Sequence, residues 1–288
     1  MQYTPAISIA FSFGLLLGTP AAFAQSSVYQ SGHLTKLWET KPTLRTPHSV
    51  VYDAARQSIY VCNEARSGGA GDGRGFVSRV SRAGEIVDLE WVTGLVEPKD
   101  MALRGDRLYV SGSTELIEVD VEKARVRGRY LNDTAVDLKS VVALPSGAVY
   151  VADKGADRVF ELKDGIFGEF IKDSRFDGAS GMVLVDKELF ASVRNRVVAV
   201  DLKTQGTRTV FRAAMTFSGL AAVGDGTLLA VDFGGGISRL GRDGSQTRLL
   251  APSSAAQTGK VGICYVKEER LLLISAAAEN KLVAYHLD

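Results

Sequence analysis

The chain has 288 residues, with 34 Lys and Arg against 33 Asp and Glu, a formal net charge of +1, and two cysteines. No segment concentrates one sign of charge, so the phosphate-neutralising stripe of a nucleic-acid binder is missing, as is the polybasic patch of a membrane-surface protein. The length suffices to bury a large core and admits one large all-β domain or two ordinary ones.

Met1 to Pro5 is a short polar start, Ala6 to Gly18 an apolar run, and Ala22-Phe23-Ala24 ahead of Gln25 fits the small-x-small cleavage rule. Residues 1–24 therefore read as a signal peptide removed near Ala24, although Met1 to Pro5 carries no Lys or Arg. The apolar run is shorter than the roughly 20 residues of a spanning helix, so the expectation is a periplasmic or secreted protein without stable membrane insertion after cleavage. Export permits a disulfide between Cys62 and Cys264, and two buried thiols are equally compatible with the composition.

Along residues 25–288 one pattern recurs six times: a short apolar strand, a polar turn, then a second strand ending in a small or acidic residue. The copies are Ser49 to Asn63, Asp100 to Gly112, Ser140 to Asp153, Gly181 to Val193, Gly219 to Asp232 and Gly262 to Ala276. Their starts are 51, 40, 41, 38 and 43 residues apart, which is the period of a propeller blade.

Third and fourth strands follow as Gly75 to Ser81 with Ile86 to Val92, Leu116 to Val121 with Val126 to Leu131, and Arg158 to Lys163 with Phe167 to Ile171. The series continues with Arg196 to Leu202 and Thr207 to Arg212, then Gly236 to Gly241 and Thr247 to Leu250. Arg82 to Gly84, Lys163 to Gly165 and Arg242 to Gly244 carry hairpin chemistry between them. The sixth repeat has no fourth strand after Lys281 to Asp288, whereas His33 to Thr40, ahead of the first repeat, alternates like a strand. The pattern predicts an all-β, six-bladed propeller of four-stranded antiparallel blades, closed by an N-terminal outer strand in the last blade.

With the blades laid out, the sequence resembles the superfamily of NHL-repeat propellers, senescence marker protein and gluconolactonase, most closely over Gly75 to Met101. The resemblance implies, for its lactonases, a divalent cation at the top of the channel held by Asn or Asp just before inner strands and a Glu from the first blade. The matching places here are His48, Lys99, Lys139, Ser180, Ser218 and Val261. None is a carboxylate or amide, and two ammonium groups oppose a hard cation. No cofactor is therefore expected; calcium or another divalent cation belongs only to the lactonase reading.

Asn63, Glu64, Asp153 and Asp232 lie at the ends of second strands, where they would meet His48, Lys99, Lys139, Ser180 and Ser218 at the channel mouth. One reading is a mixed-charge pocket in which the lysines hold a carboxylate or phosphate and the acids orient it. The other is that Lys and Asp pair with one another to satisfy buried charge. Ser67 to Gly75 is glycine-rich but lacks a Gly-Lys-Ser/Thr ending and reads as a top loop able to cover the mouth. Asn132-Asp-Thr134 matches a glycosylation sequon and reads as a turn. No His-Glu-x-x-His, Cys-x-x-Cys or Gly-x-Ser-x-Gly occurs, so zinc-hydrolase, thiol-redox and serine-elbow signatures are absent.

Two functions follow: an envelope propeller, expected to be monomeric, that binds a small anionic or sugar-like molecule or an envelope protein at its channel, or a metal-dependent sugar-lactone hydrolase. The two cysteines fall in neighbouring blades across the closure, but packed sheets lie about 10 Å apart and a disulfide needs Cα atoms within about 6.8 Å.

Overall fold

The computed structural model describes residues 33–65, 74–252 and 261–288; the signal-peptide reading and most of the Ser67 loop lie outside them. Strand β1 (Leu34–Glu39) comes first. Blade one is β2 (Pro47–Asp53), β3 (Ser58–Asn63), β4 (Gly75–Ser81) and β5 (Ile86–Leu95). Blade two is β6 (Asp100–Arg104), β7 (Arg107–Ser111), β8 (Glu115–Asp120) and β9 (Arg125–Leu131). Blade three is β10 (Leu138–Ala143), β11 (Val149–Asp153), β12 (Arg158–Lys163) and β13 (Ile166–Lys172). Blade four is β14 (Ala179–Val185), β15 (Glu188–Val193), β16 (Arg196–Asp201) and β17 (Thr207–Arg212). Blade five is β18 (Phe217–Gly224), β19 (Thr227–Asp232), β20 (Ile237–Leu240) and β21 (Gln246–Leu250). Blade six is β22 (Val261–Val266), β23 (Leu271–Ala276) and β24 (Lys281–Leu287), with β1 paired on its outer edge. The fold is the six-bladed propeller that the repeat predicts, closed as expected. Among the described residues no helix is long and apolar enough to cross a membrane.

The strands are apolar on both faces because each blade is packed from both sides. On β11, Val149 and Val151 face a cluster shared with blade two, while Tyr150 and Ala152 face one shared with blade four. That is the period-2 alternation of a strand, with both halves buried. Clusters of this kind fill the other interfaces too, down to the pairing of blade six with blade one, so the core is six wedges rather than one centre.

Closure of the seam has its own chemistry. Strand β1 runs antiparallel to β24 from Leu34 opposite Leu287 to Glu39 opposite Val283, with a bulge between Lys36 and Trp38. Glu39 binds Lys281 of β24 and Lys36 of its own strand at 2.9 and 2.6 Å, which holds its carboxyl below the usual range. Trp38 lies over Gly84 in the β4–β5 turn of blade one. A Cβ at Gly84 would fall 2.5 Å from the indole, and its φ of +85° suits glycine.

Near the axis the inner strands are joined by a belt of side-chain hydrogen bonds. The Ser49 hydroxyl donates to Asp100 at 2.5 Å, and Ser140 and the Val141 N–H donate to the other oxygen of Asp100 at 2.8 and 3.0 Å. Ser140 in turn accepts from the Met182 N–H at 2.7 Å. Ser180 donates to the Phe217 carbonyl at 2.8 Å, Ser218 to the Val261 carbonyl at 3.2 Å, and Ser275 to the His48 carbonyl at 3.0 Å. Blades one to six, and six back to one, are thereby linked in sequence. In the second half of the ring the repeats begin with glycine, and the backbones approach closely: a Cβ at Gly181 would meet Gly219 Cα at 2.7 Å, and one at Gly262 the His48 oxygen at 2.4 Å.

Asp100 is the carboxylate of the belt, and it joins blades one, two and three. Replacing it with Ala strands buried donors from Ser49, Ser140 and Val141, each costing about 1–3 kcal/mol. Asp100→Ala is therefore expected to lose roughly 3 kcal/mol or more in urea unfolding; a loss below about 0.5 kcal/mol, the scatter of ordinary surface substitutions, would show that the belt does not hold the ring.

Candidate functional site

In an antiparallel blade the first strand begins, and the second ends, at the same end of the sheet. Here that end of the ring opens into a cavity of about 380 Å³ on the axis. His48, Lys99, Lys139, Ser180, Ser218 and Val261, the six positions just before the repeats, all line it. The lower wall is apolar, built by residues such as Met101, Met182, Leu220 and Ile263.

His48 is buried to 5 % exposure, and Glu64 behind it to 6 %. Lys139 reaches from blade three to His48 of blade one, Nζ to Nδ1 3.4 Å, while the other ring nitrogen lies 3.9 Å from Glu64 Oε2. Lys99 of blade two turns to Asp137, at the entrance to β10. Lysine pairing thus does occur at the mouth, but with Asp137 rather than with Asp153 or Asp232. Ser180 and Ser218 line the cavity with hydroxyls already committed to the belt.

The remaining predicted polar groups turn into their own blades. Asn63 accepts from the Arg45 N–H at 2.9 Å and donates to the Val61 carbonyl and Ser78 Oγ at 3.0 and 2.9 Å. Asp153 accepts the N–H groups of Val136, Asp137 and Gly155 at 2.8, 2.9 and 3.0 Å. Asp232 accepts those of Gly234 and Gly236 at 2.9 and 2.8 Å and pairs with Arg248 at 2.8 Å. A short carboxylate at a strand end captures the nearest unpaired N–H groups of the turn that follows. The glycine two residues after Asp153 and Asp232 was the sequence signal for this role.

Among the lining residues that sequence reasoning missed are Lys154, Phe233 and Asp100. Lys154 and Phe233 directly follow Asp153 and Asp232, so the turn that faces the acid inward carries the next residue to the mouth. Among the described residues that line the cavity Asp100 is the only carboxylate, and both of its oxygens already accept hydrogen bonds. The described lining of the mouth therefore presents three lysines and an imidazole. Among the described residues no three His, Cys, Asp or Glu side chains gather as a metal site, and the donor set before the inner strands does not fit a hard divalent cation, which wants carboxylate and carbonyl oxygens.

Cys62 and Cys264 are thiols, and no disulfide joins them. The alternation of β3 decides this: Val61 packs toward blade six, in the cluster that Cys264 borders, and Cys62 packs toward blade two. The disulfide expectation falls because adjacent residues on a strand point oppositely. Cys264 is half-buried in the channel wall, and burial pushes its thiol up to about 11. Alkylation of native protein with iodoacetamide is expected to show a pH midpoint near 11 at Cys264 and no reaction at wholly buried Cys62; a midpoint near 8.5, the ordinary value, would contradict this burial.

No protein-family description matches the chain, and no curated protein does. Solved structures do. A gluconolactonase-like protein is 16% identical, with a TM-score of 0.67, 89% of this chain and 92% of that one being covered. Virginiamycin B lyase from Staphylococcus aureus is 14% identical, with a TM-score of 0.62 over 88% of this chain and 99% of that one. A chain of a nidogen/laminin complex is 13% identical, with a TM-score of 0.62 over 75% and 83%. At such identities the likeness is one of architecture: the chain has the six-bladed propeller fold of gluconolactonase-like and NHL-type proteins.

Proposed function

We propose that this is an exported propeller whose channel mouth binds a small organic anion, of the sugar-acid or sugar-phosphate class. The observation that carries the reading is the imbalance of charge around the cavity: Lys99, Lys139 and Lys154 line it, against Asp100, whose oxygens are engaged. A volume of about 380 Å³ lies in the range of small-molecule sites, and apolar walls with cations at the rim suit a compact body bearing one ionised group. Export rests on the apolar run Ala6 to Gly18 and on Ala22-Phe23-Ala24. An intact mass beginning at Gln25, in protein released from the periplasm or medium, is the expected outcome; a mass beginning at Met1 would contradict it.

Binding is tested by thermal melting with citrate, gluconate and glucose 6-phosphate against neutral glucose. A ligand held only by the folded state raises the melting temperature as its concentration passes Kd, and the rise is expected for at least one anion and to shrink with added salt. Lys99→Met and Lys154→Met should each weaken it about tenfold, since a hydrogen bond to a charged group contributes about 1.5–3 kcal/mol. Asp137→Asn should tighten it by releasing Lys99. Equal stabilisation by glucose, or unchanged affinity in the Lys99→Met/Lys154→Met double variant, would overturn the reading.

A further inference from the structure

The contact between Lys139 and His48 has a defined chemical sense. An ammonium has only N–H bonds to give, so at 3.4 Å it is the donor and Nδ1 of His48 the acceptor. The ring proton of a neutral imidazole then sits on Nε2, on the side of Glu64 Oε2, 3.9 Å away. Lys139, His48 and Glu64 thus form a row of amine, base and carboxylate, drawn from blades three and one and meeting at a cavity wall. That order is the one by which a weak nucleophile is activated: a base within reach of it, and a third group to orient the base and stabilise its charge. His48 and Glu64 are both nearly withdrawn from solvent, where such an arrangement is strengthened. Lys99 and Lys154 line the same cavity.

We propose that Lys139 is a nucleophilic lysine that forms an imine with small 2-oxo carboxylates, a substrate class that rests on the anion reading of the mouth. Lys99 and Lys154 hold the carboxylate, leaving the adjacent carbonyl to Lys139. The Lys139 ammonium passes a proton to His48 Nδ1, and the imidazolium is stabilised by Glu64. The free electron pair of Nζ forms a bond to the carbonyl carbon while the C=O π pair moves to oxygen, which takes the proton back from His48. His48 then removes a proton from Nζ and delivers it to the carbinolamine hydroxyl; the C–O bond breaks and water leaves. The net change is ammonium plus ketone to protonated imine plus water, with charge conserved and no oxidant or reductant consumed. His48 is the catalytic base, Lys139 the nucleophile and Glu64 a positioning residue.

The test is reductive trapping of the full chain with pyruvate and sodium cyanoborohydride, followed by peptide mapping, with lactate as the anion lacking a carbonyl. The expected result is a saturable adduct on Lys139 in preference to the other lysines, suppressed by competing lactate. Trapping should slow about tenfold or more in His48→Gln, and added imidazole should restore part of the rate in His48→Gly. Glu64→Asp should retain more of the rate than Glu64→Ala. Melting curves establish that each variant is folded, and Lys139→Arg keeps the cation while removing the adduct. If pyruvate and lactate stabilise the protein equally and no lysine is preferentially trapped, the imine falls and the anion site stands. If neither binds, both fall. An adduct on Lys139 that is indifferent to His48 and Glu64 would overturn the relay.

Discussion

Six sheets that converge on one axis must bring their inner strands closer than ordinary side chains allow, while the polar backbone at those edges still needs partners. The chain meets both demands at the same sequence position. The first residue of each repeat is Ser49, Asp100 or Ser140 on one half of the ring and Gly181, Gly219 or Gly262 on the other. The first three contribute to the hydrogen-bonded belt, and a Cβ at any of the glycines would press on the next blade. Where glycine provides the approach, the neighbouring Ser180 and Ser218 and the distant Ser275 supply the bonds. An unpaired buried polar group costs about as much as the bond it lacks, so the belt and the cores between blades are coupled conditions for closure.

That belt also shapes the cavity. The residue just before each repeat stands at the rim, so the chemistry of the mouth is written in His48, Lys99, Lys139, Ser180, Ser218 and Val261. Because the belt uses the hydroxyls of Ser180 and Ser218 and both oxygens of Asp100, the ionic character of the mouth comes from its lysines. The carboxylates at the ends of the second strands, Asp153 and Asp232, close the turns of their own blades instead. The positive mouth is thus a consequence of how the scaffold satisfies itself, and the asymmetry of the ring, with its cations on blades one to three, gives the cavity a direction. Tyrosines follow the same burial logic: Tyr60 and Tyr130 are pushed up to about 12 by loss of solvent.

The blade count, strand order and closing strand were legible in the sequence, because a repeat that buries both faces leaves apolar runs at a fixed period. So were the six rim positions, since the start of an inner strand is a topological fact once the repeat is aligned. The roles of Asp153, Asp232 and Asn63, the absence of a Cys62–Cys264 disulfide, and the reach of Lys139 across the mouth to His48 were decided only in three dimensions. A carboxylate at a strand end has backbone donors and lysines equally within its sequence neighbourhood, and the turn geometry selects between them. Cys62 was one residue from the face that would have met blade six, and the register of a strand sends alternate side chains to opposite sheets. His48 and Lys139 are 91 residues apart, and only the curvature of the closed ring brings two non-adjacent blades within the span of one lysine side chain.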